Sequence, residues 1–537
     1  MSTEKSQTPP ADEKSSIDKA HIEHGDLKSA ADYMGDAMEA EHAEYSMTVM
    51  EAVRAHPTAC FWAFVMSFTI IMESYDVFLI GNFVALPAFT SRFGVWNEAS
   101  QKFVIVTKWQ SALQVSGQLG ALIGVFMAGP ITTRVGYRWA TLFGLTLMNA
   151  TIFVSFFADS LPVFFVGQLL EGLPWGIFIA NAPAYCSEIV PLRLRAPATQ
   201  ILQMFWAVGS IIVGAVTFVY NGRDDKQAYK IPIALQWMFP LPLMVLMFLA
   251  PESPWWLVRK GRHEEATRSV ARLGNKSQQL HAGETVAMMR RVVELEKNAE
   301  QPKFRELFQG TDLRRTLIVC GIYAAQNLAG NLIANQAVYF FEQAGMSTNT
   351  AFALGLITSA LQMLFVMLSW ILTTYYGRRS IYLWGTLFNV VMLISLGIAA
   401  SIPGDNFVSA SNAQAAFGLI ASVMFTFAAA PVSWCVIAET SAIRLRPMTT
   451  GIGRATYYIV EIPCIFLASW MLNPTGANLG GRCGYVWGAT GFVTLVTAYF
   501  CLPEMKGRSY REIDILFKRK VAARKFDEVV IQPEENE

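Results

Sequence analysis

About twelve stretches of predominantly apolar residues run through this chain, at 59–86, 108–129, 138–158, 162–186, 199–220, 232–250, 315–341, 351–374, 380–401, 413–438, 449–472 and 484–502. Roughly 20 residues of helix, at about 1.5 Å each, cross a hydrocarbon core about 30 Å thick. No water is available there to satisfy backbone N–H and C=O groups, so each stretch must close its own hydrogen bonds as a helix. The expected fold is an all-α membrane protein of twelve transmembrane helices. Only 15% of the residues are charged against 53% hydrophobic, and the mean hydropathy is +0.34, which excludes an ordinary soluble domain and makes the lipid bilayer a partner. A net charge of +1 gives no sign of a nucleic-acid partner.

Polar residues gather in three places: the first 58 residues, the segment 251–314 with its charged, helix-prone runs RHEEATRSVARLG and MMRRVVELEK, and the residues after 502. The chain is therefore expected to divide into a largely disordered tail (1–58), a six-helix bundle (59–250), a helical linker (251–314), a second six-helix bundle (315–502) and a C-terminal tail (503–537). With twelve spans, Arg134 and Arg138, Arg193 and Arg195, the 251–314 linker, Arg378 and Arg379, Arg444 and Arg446, and Lys506 with Arg508 fall on one side. The positive-inside rule makes that side cytosolic, with both termini, and a plasma-membrane location is expected. Arg223, Lys226 and Lys230 lie opposite, accompanied by Asp224 and Asp225. The sequon Asn275-Lys276-Ser277 then lies in the cytosol and is expected to be unglycosylated. Residues 1–58 lack the basic start and apolar stretch of a cleaved signal peptide. The seven cysteines, mostly in apolar runs, lack the paired spacing of a zinc site or a disulfide framework.

The two bundles repeat one another. SEIVPLRLR and AETSAIRLR set Glu188, Arg193 and Arg195 against Glu439, Arg444 and Arg446 at a constant offset of 251 residues. TTRVGYR after span 2 is echoed by TTYYGRR after span 8, and PESPWW after span 6 by PEMKGR after span 12. Two halves on one plan are what a carrier needs if it rocks one bundle against the other around a midplane site.

Charge inside the apolar runs points to that site. Glu73 and Asp76 lie three apart in IIMESYDVFLIGN, on one helix face. Gln168 and Glu171 are three apart in span 4, and Arg454 and Glu461 are seven apart in span 11. A charge at the middle of a membrane helix costs about 2.5–3.5 kcal/mol on insertion scales, so such groups face a cavity or one another. These six are expected on a central cavity. No GxxxxGK[ST] phosphate loop, metal-ligand cluster or catalytic triad spacing is present, which argues against an ATP-driven pump and against an enzyme; no cofactor is expected beyond protons as coupling ion.

With PESPWWLVRKGR, SEIVPLRLR, the paired glycine-arginine loops and PEMKGRSYREID, the chain resembles the sugar porter family of the major facilitator superfamily over about residues 60–515. MESYD, LPWG at 173–176 and PESPWW are most similar to its fungal α-glucoside permeases of the maltose-transporter type. The resemblance implies proton symport of a sugar by a monomeric carrier, with alternating access. It implies that Glu188 and Glu439 face arginines among Arg134, Arg138, Arg195, Arg378, Arg379 and Arg446 in clusters that latch the halves. The family's acidic residue before each loop glycine is Thr133 or Thr374 here.

For coupling, the resemblance makes Asp76 the main proton carrier, with Glu73 and Glu171 sharing the proton and Arg454 as counter-ion; the usual span 4 arginine is Gln168. For the sugar it points to Gln203, Gln326, Asn327, Trp434 and Gln168. Gln326 and Asn327 point in different directions, so one of them reaches the ligand. The family's asparagine two residues after the span 7 glycine is Leu332, with Asn331 adjacent. Trp175, Phe205, Trp206, Tyr457 and Tyr458 are candidates for the cavity wall or for plain packing. The departures at Gln168 and Leu332 leave open a carrier of the same fold for a β-linked disaccharide, hexose, polyol or specialised metabolite. A sugar sensor that signals instead of carrying flux is a further alternative.

Overall fold

The computed structural model describes residues 48–98, 101–298, 303–331, 335–402, 407–442, 445–506, 508 and 510–529. Most of the N-terminal tail, Arg444, Leu332 and the side chains of Arg193, Asn331, Thr374 and Arg446 lie outside the described residues. Helices are labelled here by span. The first half holds α1 (Pro57–Phe83), α2 (Thr107–Val135), α3 (Tyr137–Phe156), α4 (Leu161–Ile189), α5 (Leu192–Tyr220) and α6 (Gln227–Leu249, with a 3-10 turn at Gln236–Met238). The second holds α7a (Gly310–Gln326), α7b (Ala337–Gln343), α8 (Thr348–Tyr375), α9 (Arg378–Ala399), α10 (Phe407–Thr440 through a π turn), α11 (Arg446–Leu472) and α12 (Cys483–Cys501). Ten helices among the described residues are long and apolar enough to cross a membrane. Spans 7 and 12 complete the twelve: span 7 is broken, and α12 has spanning length but is diluted by Gly and Thr.

The expected single helix over 315–341 breaks at Gly330, whose φ of +87° an L-residue rarely adopts, inside a π turn at Asn327–Asn331. Backbone carbonyls near the break take side-chain donors: Thr490 donates to Leu328 O at 2.6 Å and Asn389 to Ala329 O at 2.8 Å. That is how irregular backbone is tolerated at membrane depth. In span 10 the π turn at Phe425–Ala429 precedes Pro431, which has no N–H to continue the α ladder.

The chain packs as two compact units. One comprises the ends of α1, α4 and α5 with the 251–301 segment. Here the linker is helical as expected, in Pro254–Arg259, His263–Leu273, Lys276–Leu280 and Ala282–Asn298. PESPWW is a helix start: Ser253 Oγ accepts from Trp256 N at 3.2 Å, Pro254 occupies the first turn, and Tyr185 Oη donates to Pro251 O at 2.7 Å. Asn275 of the sequon donates its side-chain amide to Arg54 O.

The other unit holds most of the helical bundle. In it α2 and α4 cross closely. A Cβ built on Gly120, Gly124, Gly172 or Gly176 would lie 2.2–2.3 Å from a backbone carbonyl oxygen of the facing helix. Small residues let the two backbones approach to carbonyl contact, which takes the place of the absent hydrophobic drive between helices in lipid. The approach also fixes α4, and with it Gln168, Glu171 and Trp175. Outside the spans, the C-terminal helix Tyr510–Lys518 docks through Arg315, whose guanidinium meets Asp514 Oδ1 at 2.7 Å and lies 4.5 Å from the Phe517 ring centroid. Burial pushes the Asp514 carboxyl up, but Lys518 and Arg315 together hold it below its ordinary value.

Candidate substrate cavity and carboxyl cluster

A cavity of about 930 Å³, counting space open to solvent, lies between helices of both halves. α1 contributes Glu73, Val77 and Phe78, α5 Gln203 and Trp206, α7a Gln326, α10 Trp434, and α11 Arg454, Tyr457 and Glu461. Of the residues expected to touch sugar, Gln203, Gln326 and Trp434 line it, with Gln326 Nε2 buried and unsatisfied. Asn327 turns away, donating from Nδ2 to Tyr457 O at 3.2 Å, so the neighbouring amides do point apart. Among the aromatic candidates, Trp206 and Tyr457 form wall, whereas Phe205 packs against Phe64 and Phe68.

Two carboxylates and one guanidinium face this space without joining. Arg454 lies 4.5 Å and 5.0 Å from the centroids of Tyr457 and Tyr458 and donates to Tyr458 Oη at 3.3 Å, while its Nε has no partner among the described residues. Glu461 accepts from Tyr457 Oη at 3.3 Å through one oxygen; its other oxygen, like Glu73 Oε2, is buried and unsatisfied. Buried polar atoms without partners are costly, and a ligand rich in hydroxyls is what such a set can accept.

Asp76 and Glu171 form a separate group, fully buried at 0% exposure each. Gln168 Nε2 reaches both, at 3.5 Å to Asp76 Oδ1 and 3.1 Å to Glu171 Oε2. Gln236 of α6 donates to Asp76 Oδ1 at 2.8 Å, and Ser155 of α3 donates to Glu171. Two carboxyls that share one amide donor, with no ion pair to either among the described residues, repel one another when both are charged, so this pair, ringed by amides and a hydroxyl, is suited to holding a proton. Arg454 is with Glu73 and Glu461, not here. Gln168 is thus part of the carboxyl group. Reasoning from sequence missed Gln236; its signal was a lone amide in an apolar span.

Both glutamates of the repeated motif sit in ion pairs. In the unit holding the linker, Glu188 pairs with Arg259 at 2.9 Å and accepts from Ser253 Oγ; Arg259 lies in the linker and was not among the expected partners. In the second half Arg378 pairs with Glu439 at 3.4 Å, as expected. Glu504 of PEMKGR caps the start of α9, accepting from Arg378 N at 2.9 Å and Arg379 N at 3.2 Å. A Cβ on Gly377 would lie 2.1 Å from its Oε2, which explains the glycine of that loop. Arg138 and Arg379 show the internal repeat directly. Arg138 donates to Phe248 O in the last turn of α6, and Arg379 to Tyr499 O near the end of α12, at carbonyls 251 residues apart. Arg134 is exposed at the end of α2, and Arg195 is half-buried at the start of α5.

At the Thr107 end the halves are tied together. Asn473 donates to Ile105 O at 2.8 Å and to Gln110, and Gln336 donates to Gln114 at 2.6 Å. Thr107 and Thr475 hydroxyls are 2.7 Å apart. Lys102, on the β-hairpin β1 (Val95–Asn97) and β2 (Lys102–Val104), pairs with Glu342 of α7b at 2.9 Å.

A helical membrane chain with a polar cavity between repeated halves and a buried carboxyl pair beside it is a multi-pass secondary carrier. The chain belongs to the Sugar (and other) transporter family, which it matches over residues 62–517, and is a transporter and not an enzyme. It is similar to the alpha-glucosides permease MPH3 of Saccharomyces cerevisiae, at 34% identity over 508 residues, 93% of this chain and 84% of that protein. It is also 32% identical over 541 residues to the maltose permease MAL31 of the same yeast, covering 97% and 87%. Its fold matches that of the xylose transporter XylE from E. coli in a partially occluded inward-open conformation, with a TM-score of 0.68 at 18% identity over 83% of this chain and 98% of that one.

Proposed function

We propose that this protein imports an α-linked glucoside, of the size of a disaccharide, together with a proton, across a fungal plasma membrane with both termini in the cytosol. The observation that carries the reading is the Asp76–Gln168–Glu171 group: two buried carboxyls bridged by one amide, with no cation paired to either among the described residues, beside a cavity lined by amides, indoles and unsatisfied charged groups. The similarity to α-glucoside and maltose permeases supports the cargo. With the termini inside, the Thr107 end faces outward, and its ties between the halves describe a carrier closed to the outside. Glu439 is paired with Arg378 of its own half, which fits that state, since a latch must release for the bundles to rock. Arg454 is free to pair with Glu73 or Glu461 as sugar and proton load alter the cavity. Uptake of a panel of labelled sugars in a transport-deficient host, with medium pH recorded in parallel, tests this. Uptake of α-glucosides with alkalinisation is expected; normal surface expression with no uptake of any sugar would refute it.

A further inference from the structure

Five of the eight residues from 518 to 525 are cationic in a chain whose net charge is only +1: Lys518, Arg519, Lys520, Arg524 and Lys525, all exposed. This run is folded against the bundle. The helix Tyr510–Lys518 ends in a Schellman turn, in which Lys520 N donates to Phe517 O at 2.9 Å and Val521 N to Leu516 O at 3.2 Å. Arg314 at the start of α7a donates to Val521 O at 2.7 Å, its guanidinium 5.3 Å from the Phe517 ring centroid and 5.9 Å from that of Phe526. Arg508 holds the far end through Val529 O at 2.8 Å. Between those two clamps the chain returns to the end of α12. Arg524 donates to Tyr499 Oη at 3.3 Å and lies 5.2 Å from the ring centroids of both Tyr499 and Phe500. Those rings are exposed on the last turn of a span, so in a bilayer they face lipid. Arg524 therefore stands at the rim of the bundle, at the depth where a span leaves the hydrocarbon and headgroups begin.

The turn carries strain. Lys520 has a φ of +55° at the position of a Schellman turn that glycine usually fills. A lysine kept where glycine would fold more easily points to a use for its charge. Lys518 is paired with Asp514 at 2.8 Å, whereas Lys520, Arg524 and Lys525 pair with no carboxylate among the described residues.

We propose that the folded-back tail is a binding surface for the anionic phospholipid headgroups of the adjacent leaflet, with Lys520, Arg524 and Lys525 meeting their phosphates. The inference rests on the reading that the C terminus is cytosolic, because the cytosolic leaflet is the anionic one, and it is independent of the cargo. A guanidinium offers a phosphate a fork of N–H donors, and an ammonium offers a compact charge. Each basic residue held near an anionic membrane surface is worth about fivefold in affinity. The tail is then supported from two sides, by Phe517 and Phe526 against Arg314 and by lipid against the basic run.

The test titrates phosphatidylserine and phosphatidylcholine onto the full-length protein in detergent and counts bound lipid by native mass spectrometry. Wild type is compared with Lys520→Gln/Arg524→Gln/Lys525→Gln, with the charge-conserving Lys520→Arg/Lys525→Arg, and with Lys520→Gly. The triple variant is expected to bind phosphatidylserine at least tenfold more weakly and phosphatidylcholine as before, while the charge-conserving variant keeps the wild-type preference. Lys520→Gly relieves the turn and removes one charge, so its melting temperature should hold or rise while phosphatidylserine affinity falls about fivefold. Equal wild-type affinity for the two lipids overturns the surface. So does an undiminished preference in the triple variant, or displacement of the lipid by an equal concentration of soluble glycerophosphoserine, which would mark a site for free phosphates. If the triple variant cannot be purified, Lys520→Gly decides, and an unchanged preference there overturns the surface. Detergent has no sidedness, so these outcomes are separate from the topology. A C-terminal epitope stained on intact cells would refute the cytosolic tail, and with it the leaflet, whatever the lipid preference.

Discussion

Asp76→Asn separates proton coupling from sugar passage at small structural cost. Asp76 Oδ1 accepts from Gln236 at 2.8 Å and from Gln168 at 3.5 Å, and Oδ2 takes no donor among the described residues. Asparagine has the same shape. Its Oδ1 keeps the Gln236 bond and its Nδ2 can donate to Glu171, so the loss of stability is expected near 1 kcal/mol, the net worth of one hydrogen bond. What disappears is the exchangeable proton. One proton moving down 100 mV supplies about 2.3 kcal/mol, which corresponds to roughly 50-fold accumulation of a neutral solute at 1.4 kcal/mol per tenfold. The variant is expected to equilibrate an α-glucoside without concentrating it, with substrate-evoked alkalinisation abolished and exchange of preloaded sugar retained. Labelled uptake to steady state, with a pH electrode in the same suspension, measures all three. Wild-type accumulation together with wild-type alkalinisation would refute the assignment of the proton to this pair.

Arg454→Gln removes the cation between Glu73 and Glu461, and the transport rate should fall at least tenfold with surface expression retained; a normal rate would show that the guanidinium only packs on Tyr457 and Tyr458. Gly172→Val places a side chain where a Cβ already meets Gly117 O at 2.2 Å, so several kcal/mol of strain should lower thermal stability in detergent and deplete the surface pool. Glu504→Gln weakens the cap on Arg378 and Arg379, with an expected loss of about 1 kcal/mol read as a shift in melting temperature. Docking of the C-terminal helix should be insensitive to pH above about 4. Because the Asp514 carboxyl is held below its ordinary 3.8, its contribution is complete above that value and fades only as pH falls through the lower folded one, which protease protection of the tail can follow.

The helices were legible because burial in lipid leaves the backbone one option, and a run of some 20 apolar residues states it without reference to any partner. The charge motifs were half legible. Glu439 with Arg378 follows from the repeat, yet Glu188 takes Arg259 from the linker, whose docking no periodicity encodes. Span 7 reads as one helix since a hydropathy window averages through Gly330. Amide partners were least legible: Gln236 meets Asp76 from 160 residues away, and Asn473 meets Gln110 from 363.

The acids of MESYD show how the site departs from a one-face reading. Three residues turn a helix by about 300°, leaving Glu73 and Asp76 about 60° apart. For a helix with neighbours on every side, that angle separates two environments. It puts Glu73 on the cavity and sends Asp76 behind it to the amides of α4 and α6. The four groups expected to act as one set are therefore two: a cation with an acid on the wide cavity, and a carboxyl pair behind it. Gln168 is what joins them: it lines a small cavity that shares Glu461 with the wide one, and it bonds both carboxyls. An arginine at that position would place a permanent charge beside the pair. The glutamine leaves the pair's charge to be set by its proton, so Gln168→Arg is expected to keep sugar binding in the wide cavity while shifting the pH at which transport is half-maximal; an unchanged pH profile would show that the amide takes no part in coupling.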